Sequence, residues 1–172
     1  DRRALLKAQI SQQPHSAMTL MASLPRAAEP GTVNNYSTGE TQVLGEIVRG
    51  AVKMPLAEYL SKKIWQPFGM ESDATWWLDS PDGVEIGGSG ISATLRDYGR
   101  FGLFFMNDGK INGTSILPDG WVREATLPTT LKGGKSLDYG YMWWTAWTAP
   151  SVKDGAYSAV GLSLIHISEP TR

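Results

Sequence analysis

The sequence has 172 residues, of which 41% are hydrophobic, and its 16 basic and 17 acidic side chains leave a net charge of −1. This length and composition predict one globular domain with a packed core. Because no block of basic residues occurs, the chain offers no electrostatic footprint for nucleic acid, and no apolar run is long enough to span a membrane. The absence of cysteine excludes disulfides and cysteine nucleophiles, and it fits a periplasmic, secreted or cytoplasmic protein equally well.

Both ends of the sequence have the features of a cut chain. Asp1 runs straight into a helical pattern without a start methionine, which predicts further sequence upstream. Residues 162–172 read like the translation of a transposon-end adapter used in sequencing libraries, a kind of scar that is excluded from fold reasoning. We therefore expect residues 1–161 to be part of a single domain and residues 162–172 to be a non-native tail.

Helical periodicity dominates the first half of the chain. Apolar residues recur at helical spacing in residues 2–8 and 16–24, and a third such pattern begins at Pro55 and ends at the turn of residues 67–70. Between them lies the clearest amphipathic pattern, which predicts a helix that is buried along its apolar stripe. The stripe consists of Val43, Leu44, Ile47, Val48 and Ala51.

Turn signals between short apolar or β-branched runs predict two hairpins. The first joins residues 75–78 to residues 84–86, and the second joins residues 110–111 to residues 115–117 through Asn112-Gly113. Short strands joined by tight turns of this kind pair antiparallel.

A glycine-rich loop and a capped helix lie between the two hairpins. Residues 87–90 read Gly-Gly-Ser-Gly and predict a loop that can approach another backbone closely. Thr94 and Asp97 form a capping pair that opens a core helix closing at Gly109, and a shorter helix is expected from Pro118 or Asp119.

Aromatic and β-branched residues dominate two late segments, residues 139–148 and 156–160. Both segments predict strands, and we expect them to pair antiparallel. Helices followed by late antiparallel strands indicate an α+β fold, in which the helices pack on an antiparallel sheet.

Few residues of the chain can carry metal or nucleophilic chemistry. His15 and His166 are the two histidines and neither has a partner at ligand spacing, so the sequence predicts neither a metal site nor a Ser-His-Asp triad. No G-x-S-x-G elbow occurs, and the loop at residues 87–90 lacks the lysine of a phosphate-binding loop. No cofactor is predicted.

Four segments in chain order resemble β-lactamase-like serine hydrolases, the superfamily of class C β-lactamases and penicillin-binding proteins. Residues 30–39 (PGTVNNYSTG) resemble the family's P-G-x-x-x-x-Y-S-N element, and residues 64–70 (IWQPFGM) resemble its I-x-x-P-L-G-M turn. Residues 87–102 (GGSGISATLRDYGRFG) are similar to its G-G-x-G-I segment with a later D-x-x-R-F-G. Residues 139–144 (YGYMWW) and 156–161 (AYSAVG) are similar to its Y-G-x-x-W-W and A-x-G strands.

The resemblance implies the fold, the reaction and the site residues. The fold would be part of a β-lactamase/transpeptidase-like domain, and the reaction would be hydrolysis of an ester or amide bond of a small-molecule substrate through an acyl-serine intermediate. Tyr36 takes the place of the catalytic tyrosine, and Thr38 takes the place of an asparagine that orients the substrate. Gly161 and Leu162 take the place of the strand residues that complete the oxyanion hole with a backbone N–H.

Within this superfamily, Gly39-Glu40-Thr41 and Lys63-Ile64-Trp65 favour the branch of 6-aminohexanoate-oligomer hydrolases and esterases. Thr38 departs from the family pattern, because a hydroxyl retains a hydrogen-bonding group but loses the paired donor and acceptor of an amide.

The resemblance also implies a Ser-x-x-Lys pair, which this sequence lacks at every serine. A serine hydroxyl needs a base before it can act as a nucleophile, and an ammonium beside a tyrosine favours the phenolate that can serve as this base. We therefore expect the serine and the lysine to precede Asp1, and we expect the chain by itself to be inactive.

Two further interpretations remain open at the level of sequence. The protein could be a noncatalytic sensor related to penicillin-binding proteins, or it could be a module that binds a flat ligand on Trp143, Trp144 and Trp147. On a strand Trp143 and Trp147 would share one face and Trp144 the other, so core packing explains at least part of this set.

Overall fold

The chain folds into two compact units whose boundaries do not follow the order of the sequence. The first unit consists of Asp1–Ala27 and Asn35–Met106, and the second consists of Ala28–Asn34 and Asn107–Arg172. The chain thus leaves the first unit for seven residues directly before Asn35.

The structure, a computed structural model, describes residues 2–145 and 157–161. Several sequence predictions lie outside the described residues. They concern the strand end at 146–148 with Trp147, the strand start at Ala156, Leu162, and the tail at 162–172.

Helices form most of the first unit, and each lies where hydrophobic periodicity predicted one. Pro55 precedes the fourth helix, and a π-helical turn then carries the chain to Trp65, where Gln66 N–H donates to the carbonyl of Ser61. The helices are α1 (Arg2–Ile10), α2 (Ser16–Ser23), α3 (Thr38–Val52), α4 (Leu56–Leu60) and α5 (Leu95–Met106), and the π-helical turn is Ser61–Trp65.

The packed face of α3 differs from the sequence prediction. Leu44 and Ile47 are 44% and 61% exposed, whereas Gly39 and Gln42 are buried. The prediction that α3 is buried along its apolar stripe is therefore wrong for these residues. The buried side carries glycines, and a helix surface without Cβ atoms lets other elements approach its backbone.

The first predicted hairpin is confirmed at its inner end and extended at its outer end. Leu78 bridges Glu85, as the sequence predicted. Beyond them β1 (Thr75–Trp76) pairs antiparallel with β2 (Ile91–Ser92), a strand that the sequence did not predict. The chain therefore returns to this ribbon directly after the glycine-rich loop at residues 87–90.

An aromatic cluster on α5 forms part of the core of the first unit. Phe104 is fully buried, and its ring centroid lies 5.6 Å from that of Phe68 and 5.7 Å from that of Phe105. The predicted cap of this helix is confirmed, because Thr94 Oγ1 accepts from Asp97 N at 3.2 Å and lies 2.8 Å from Asp97 Oδ2.

Short antiparallel ribbons and one helix form the described part of the second unit. The predicted Asn112-Gly113 hairpin is confirmed, and both turn residues have positive φ, 48° and 80°. The elements are β3 (Lys110–Ile111), β4 (Thr114–Ser115), α6 (Trp121–Ala125), β5 (Thr129–Thr130) and β6 (Ser136–Leu137).

The predicted strand at residues 139–148 is not continuous where the structure describes it. Tyr139 bridges Trp144, so the chain reverses through Tyr141 and Met142, and Met142 has a φ of 67°. Trp144 also bridges Ser158, which confirms the antiparallel pairing of the two late segments at this point.

The observed elements confirm the α+β class. The named strands of the described residues form three separate two-stranded antiparallel ribbons. A single sheet on which the helices pack is therefore not confirmed. None of the described helices is long and apolar enough to cross a membrane.

Candidate active site

Tyr36 lies in the loop that leads into α3 and is 54% exposed. The loop is anchored by Ser37, whose backbone is extended and whose hydroxyl accepts from Glu40 N at 3.4 Å. Ser37 is thus the N-cap of the helix, and Thr38 is its first residue. This arrangement leaves the tyrosine ring accessible beside the positive end of the helix dipole.

Residues 28–34, which precede Asn35 and Tyr36, belong to the second unit. Gly31 belongs to the second unit, has a φ of 79°, and accepts from Lys132 N at 2.8 Å through its carbonyl. Thr32 closes the preceding turn, since its hydroxyl donates to the carbonyl of Glu29 at 2.6 Å. The motif at residues 30–39 therefore crosses the sequence boundary between Asn34 and Asn35, and Tyr36 is the second residue after that boundary.

The glycine loop packs against the first turns of α3. A Cβ on Gly88 would lie 2.7 Å from both Cγ2 and the carbonyl oxygen of Thr38. A Cβ on Gly87 would lie 3.0 Å from the Cα of Gly45 and 3.1 Å from the carbonyl of Thr41. The predicted close approach of this loop to another backbone is confirmed, and it joins two of the four family-like segments at Thr38.

A methionine and a glutamine complete the buried side of α3. Gly39 is buried against the thioether of Met21 on α2, where an added Cβ would collide. Gln42, one turn after Thr38, is 2% exposed, and its Oε1 has no hydrogen-bond partner among the described residues. A buried acceptor without a partner costs roughly 1–3 kcal/mol. Sequence reasoning missed Gln42 because an isolated glutamine in an amphipathic pattern signals only a polar position.

A second set of contacts, centred on Asp97, connects two other family-like segments. Asp97 is fully buried and accepts from Glu71 N at 2.8 Å, Ser72 N at 3.2 Å and Arg100 Nη1 at 3.2 Å. Burial alone would raise the pKa of the Asp97 carboxyl, but these hydrogen bonds, the bond from Thr94 and the charge of Arg100 leave that pKa below its ordinary value. These hydrogen bonds attach the backbone that directly follows residue 70 to α5.

The same cluster fixes Glu71. Its carboxylate pairs with Arg100 and lies 3.3 Å from the Nε of Arg96, and the hydrogen bond from Arg100 lowers the pKa of Glu71. These charges are all matched by partners of opposite sign, and we assign them to the fold rather than to chemistry.

Gly161 belongs to the second unit, and the residues just before it are hydrogen-bonded to Trp144. Trp144 N donates to the carbonyl of Ser158 at 2.8 Å, Ser158 N donates back at 2.9 Å, and Trp144 Nε1 donates to the carbonyl of Val160 at 3.0 Å. These bonds hold the backbone directly before Gly161. Leu162, the predicted oxyanion-hole residue, lies outside the described residues.

Two of the three tryptophans predicted as a stacking face, Trp143 and Trp144, are packed against other aromatic rings. Trp143 lies edge-to-face with Tyr157 at 5.1 Å, and Trp144 lies edge-to-face with Tyr139 at 4.7 Å. Such ring pairs stabilise the packing of residues 139–144 and of Tyr157 against them. Among the residues of the second unit that the structure describes, the exposed aromatic side chains are Tyr141 and Trp121, at 46% and 39% exposed.

The order of these segments agrees with a family comparison, in which a β-lactamase model matches residues 2–164. The chain belongs to the β-lactamase family. The match extends across both units, so the boundary at Asn34 and Asn35 divides a β-lactamase-family sequence rather than two unrelated ones.

Among curated proteins, the chain is similar to the 6-aminohexanoate-dimer hydrolase of Paenarthrobacter ureafaciens. The two are 31% identical over 87 residues, which is 51% of this chain and 22% of that enzyme. The similarity confirms the resemblance to the 6-aminohexanoate hydrolase branch. The aligned part spans about a fifth of the relative's length.

Proposed function

We propose that this chain is part of a serine hydrolase that cleaves an ester or amide bond of a small molecule through an acyl-serine intermediate. The observation that carries the proposal is the placement of Tyr36 and Thr38 at the capped start of α3, with Gly88 against Thr38, in a β-lactamase-family chain. The 6-aminohexanoate-dimer hydrolase relative favours a linear amide as the substrate class.

In the proposed reaction the serine and the lysine come from sequence upstream of Asp1. Tyr36, held as phenolate by the lysine ammonium, takes the proton from the serine hydroxyl as the serine oxygen attacks the substrate carbonyl. The phenol then gives this proton to the leaving amine or alcohol as the acyl-serine forms. Water releases the acyl group with the same proton transfers in reverse order.

Two other residues support the reaction in this proposal. In this proposal the backbone N–H of Leu162 donates to the developing oxyanion. Ser158 and Val160, which precede it in the sequence, are hydrogen-bonded to Trp144. Thr38 offers its hydroxyl to the substrate from the first turn of α3.

The test uses the longer gene product that contains this chain. We expect a fluorophosphonate probe to label one serine of a Ser-x-x-Lys pair upstream of Asp1, and mass spectrometry of the labelled peptide identifies it. Turnover of an activated ester supports the hydrolase. An acyl adduct that forms and persists without turnover would instead indicate the sensor, and the absence of any adduct would contradict both.

A further inference from the structure

Trp77, the residue directly after β1, has an exposed side chain on a fixed backbone. Its N–H donates to the carbonyl of Gly90 at 3.0 Å, and its carbonyl accepts from Ile86 N at 2.9 Å. The side chain is nevertheless 68% exposed, whereas tryptophan is highly buried on average. A large apolar surface is therefore attached to an ordered ribbon and left mostly uncovered.

The glycine loop at residues 87–90 makes room for the start of this side chain. A Cβ on Gly90 would lie 2.9 Å from the Cβ of Trp77 and 3.3 Å from its Cγ, which is closer than ordinary contact. Gly90 also has a φ of 96°, a conformation that glycine adopts without strain. The Trp77 side chain thus begins directly against one end of the loop.

The other part of the same loop contacts Thr38. A Cβ on Gly88 would lie 2.7 Å from the Cγ2 of Thr38, and Gly88 is separated from Gly90 by a span of at most about 7 Å. Tyr36, Thr38, the loop and Trp77 all belong to the first unit. The loop therefore places the indole within the length of a small-molecule substrate from Thr38.

The neighbouring Trp76 has the opposite arrangement. It is half-buried, and its Nε1 donates to the carbonyls of Ile86 and Ser89 at 2.9 Å and 3.2 Å. Successive side chains of a strand point to opposite faces, so Trp77 does not share this contact with the loop backbone. One tryptophan supports the loop, and the other leaves its ring open to a ligand.

From these contacts, and resting on the proposed function, we infer that Trp77 is a specificity-determining residue that binds the apolar chain of the substrate beside Thr38. The indole covers methylene groups of this chain, and the apolar area removed from water grows with chain length. Either side of the ester or amide bond can carry the chain, and two series of substrates distinguish the two sides.

The test compares Trp77→Ala with wild type in the longer gene product. The first series lengthens the acyl group from p-nitrophenyl acetate to p-nitrophenyl hexanoate, and the second lengthens the alcohol from ethyl acetate to hexyl acetate. A methylene covered on one side contributes about twofold to kcat/KM, which is roughly half the free energy of full burial.

We expect Trp77→Ala to lower kcat/KM for the longest ester of one series about tenfold, mainly through KM, because four methylenes lose this cover. The shortest esters should change less than twofold. A loss in the first series places the acyl chain on Trp77, and a loss in the second places the alcohol there.

Trp77→Phe provides the rescue, because it retains an aromatic face and should keep most of the preference for long chains. Met106→Ala is the matched control. Met106 is the last residue of α5 and is 74% exposed, so its replacement also removes exposed apolar surface. It should leave the dependence on chain length unchanged.

Four results would overturn the inference. They are the same dependence on chain length in Trp77→Ala and wild type, an equal loss on every ester of both series, the same loss in Met106→Ala, and failure of both Trp77→Ala and Trp77→Leu to fold. An equal loss or a failure to fold would mean that the indole serves the fold by covering Gly90, as aromatic side chains do for glycines in strand pairs. A wild-type protein that hydrolyses none of these esters would contradict the proposed function itself, which is a separate outcome.

Discussion

The surroundings of Tyr36 are set by the cap at Ser37 and by the contact between Thr38 and Gly88. The serine caps α3, the glycine leaves room for Thr38, and the tyrosine ring is left 54% exposed. Because Tyr36 is more than half exposed, we expect removal of its hydroxyl to change the free energy of unfolding little. Its proposed value lies in proton transfer.

We expect Tyr36→Phe in the longer gene product to lower kcat by two to four orders of magnitude, about the range for losing a general acid–base group. The Tm should change by less than the error of the measurement. Hydrolysis of an activated ester at the wild-type rate by the folded variant would remove Tyr36 from the mechanism.

Asp97 contributes to stability through its charge, and this makes its contribution depend on pH. Its folded-state pKa is lowered, so the contribution is present above its unfolded pKa of about 3.9 and is lost as the pH falls through the folded pKa. We expect Asp97→Asn to lower the Tm at pH 7, and we expect the difference from wild type to shrink between pH 4 and lower pH. Thermal unfolding across this range measures both.

The exposed Asp73 provides the control for this pH dependence. Asp73→Asn should change the Tm little at any pH in the range. A difference between Asp97→Asn and wild type that stays constant into strong acid would show that the carboxylate charge is not what stabilises the fold.

At the scale of elements, local signals were sufficient for most helices and turns. The Thr94 cap and the Asn112-Gly113 turn each act within a few residues, so the sequence alone predicts them. The pairing of β1 with β2 was missed because it joins strands of two residues across a long loop. The β5–β6 ribbon was also missed, although its Gly133-Gly134 turn is a signal that could have revealed it.

The prediction of which face of α3 is packed was wrong for a different reason. Hydrophobic periodicity assumes that the apolar face is the packed face. In α3 close contact with the Met21 side chain at Gly39 and with the Gly87 backbone at Gly45 determines the packed face instead, and this depends on partners distant in the sequence.

This packing predicts opposite effects for two glycines of one helix. A Cβ at Gly45 would lie 2.9 Å from the Cα of Gly87, whereas nothing lies within 4 Å of one at Gly50. We expect Gly45→Ala to destabilise by about 1–3 kcal/mol through overpacking, and Gly50→Ala to stabilise by about 0.5–1 kcal/mol through helix propensity. Urea denaturation measures both changes. Equal effects would contradict the contact between α3 and the glycine loop.

At the scale of the whole molecule, the sequence predicted the family and the α+β class but not the division into two units. Motif order extends over most of the chain and so identifies a superfamily even where each motif is weak. The division depends on contacts between residues 28–34 and residues after 107, which no local pattern encodes.

The exposed apolar side chains lead to a prediction for the 172-residue chain. Leu44, Ile47, Leu95 and Met106 are 44–74% exposed, and apolar surface of this kind promotes association. We expect this chain to bind the dye ANS, to associate as its concentration rises, and to remain unlabelled by fluorophosphonates. Leu44→Lys combined with Ile47→Lys should reduce dye binding while the helical circular dichroism is retained.

A sharp cooperative melt of a monomer without dye binding would contradict the first part of this prediction. Labelling of any serine within the 172 residues would contradict the placement of the nucleophile upstream of Asp1.

The bond between the Lys132 N–H and the Gly31 carbonyl has a consequence for the order of events during synthesis. Its partners lie about a hundred residues apart in the sequence, so Gly31 leaves the ribosome many seconds before its partner at typical elongation rates of roughly 5–20 residues per second. Until then Gly31 lacks this hydrogen-bond partner, although all residues of the first unit, which ends at Met106, have already been synthesised. The loop leading to Tyr36 is therefore completed late, and a nascent chain halted before Lys132 should be cut by proteases between residues 28 and 34.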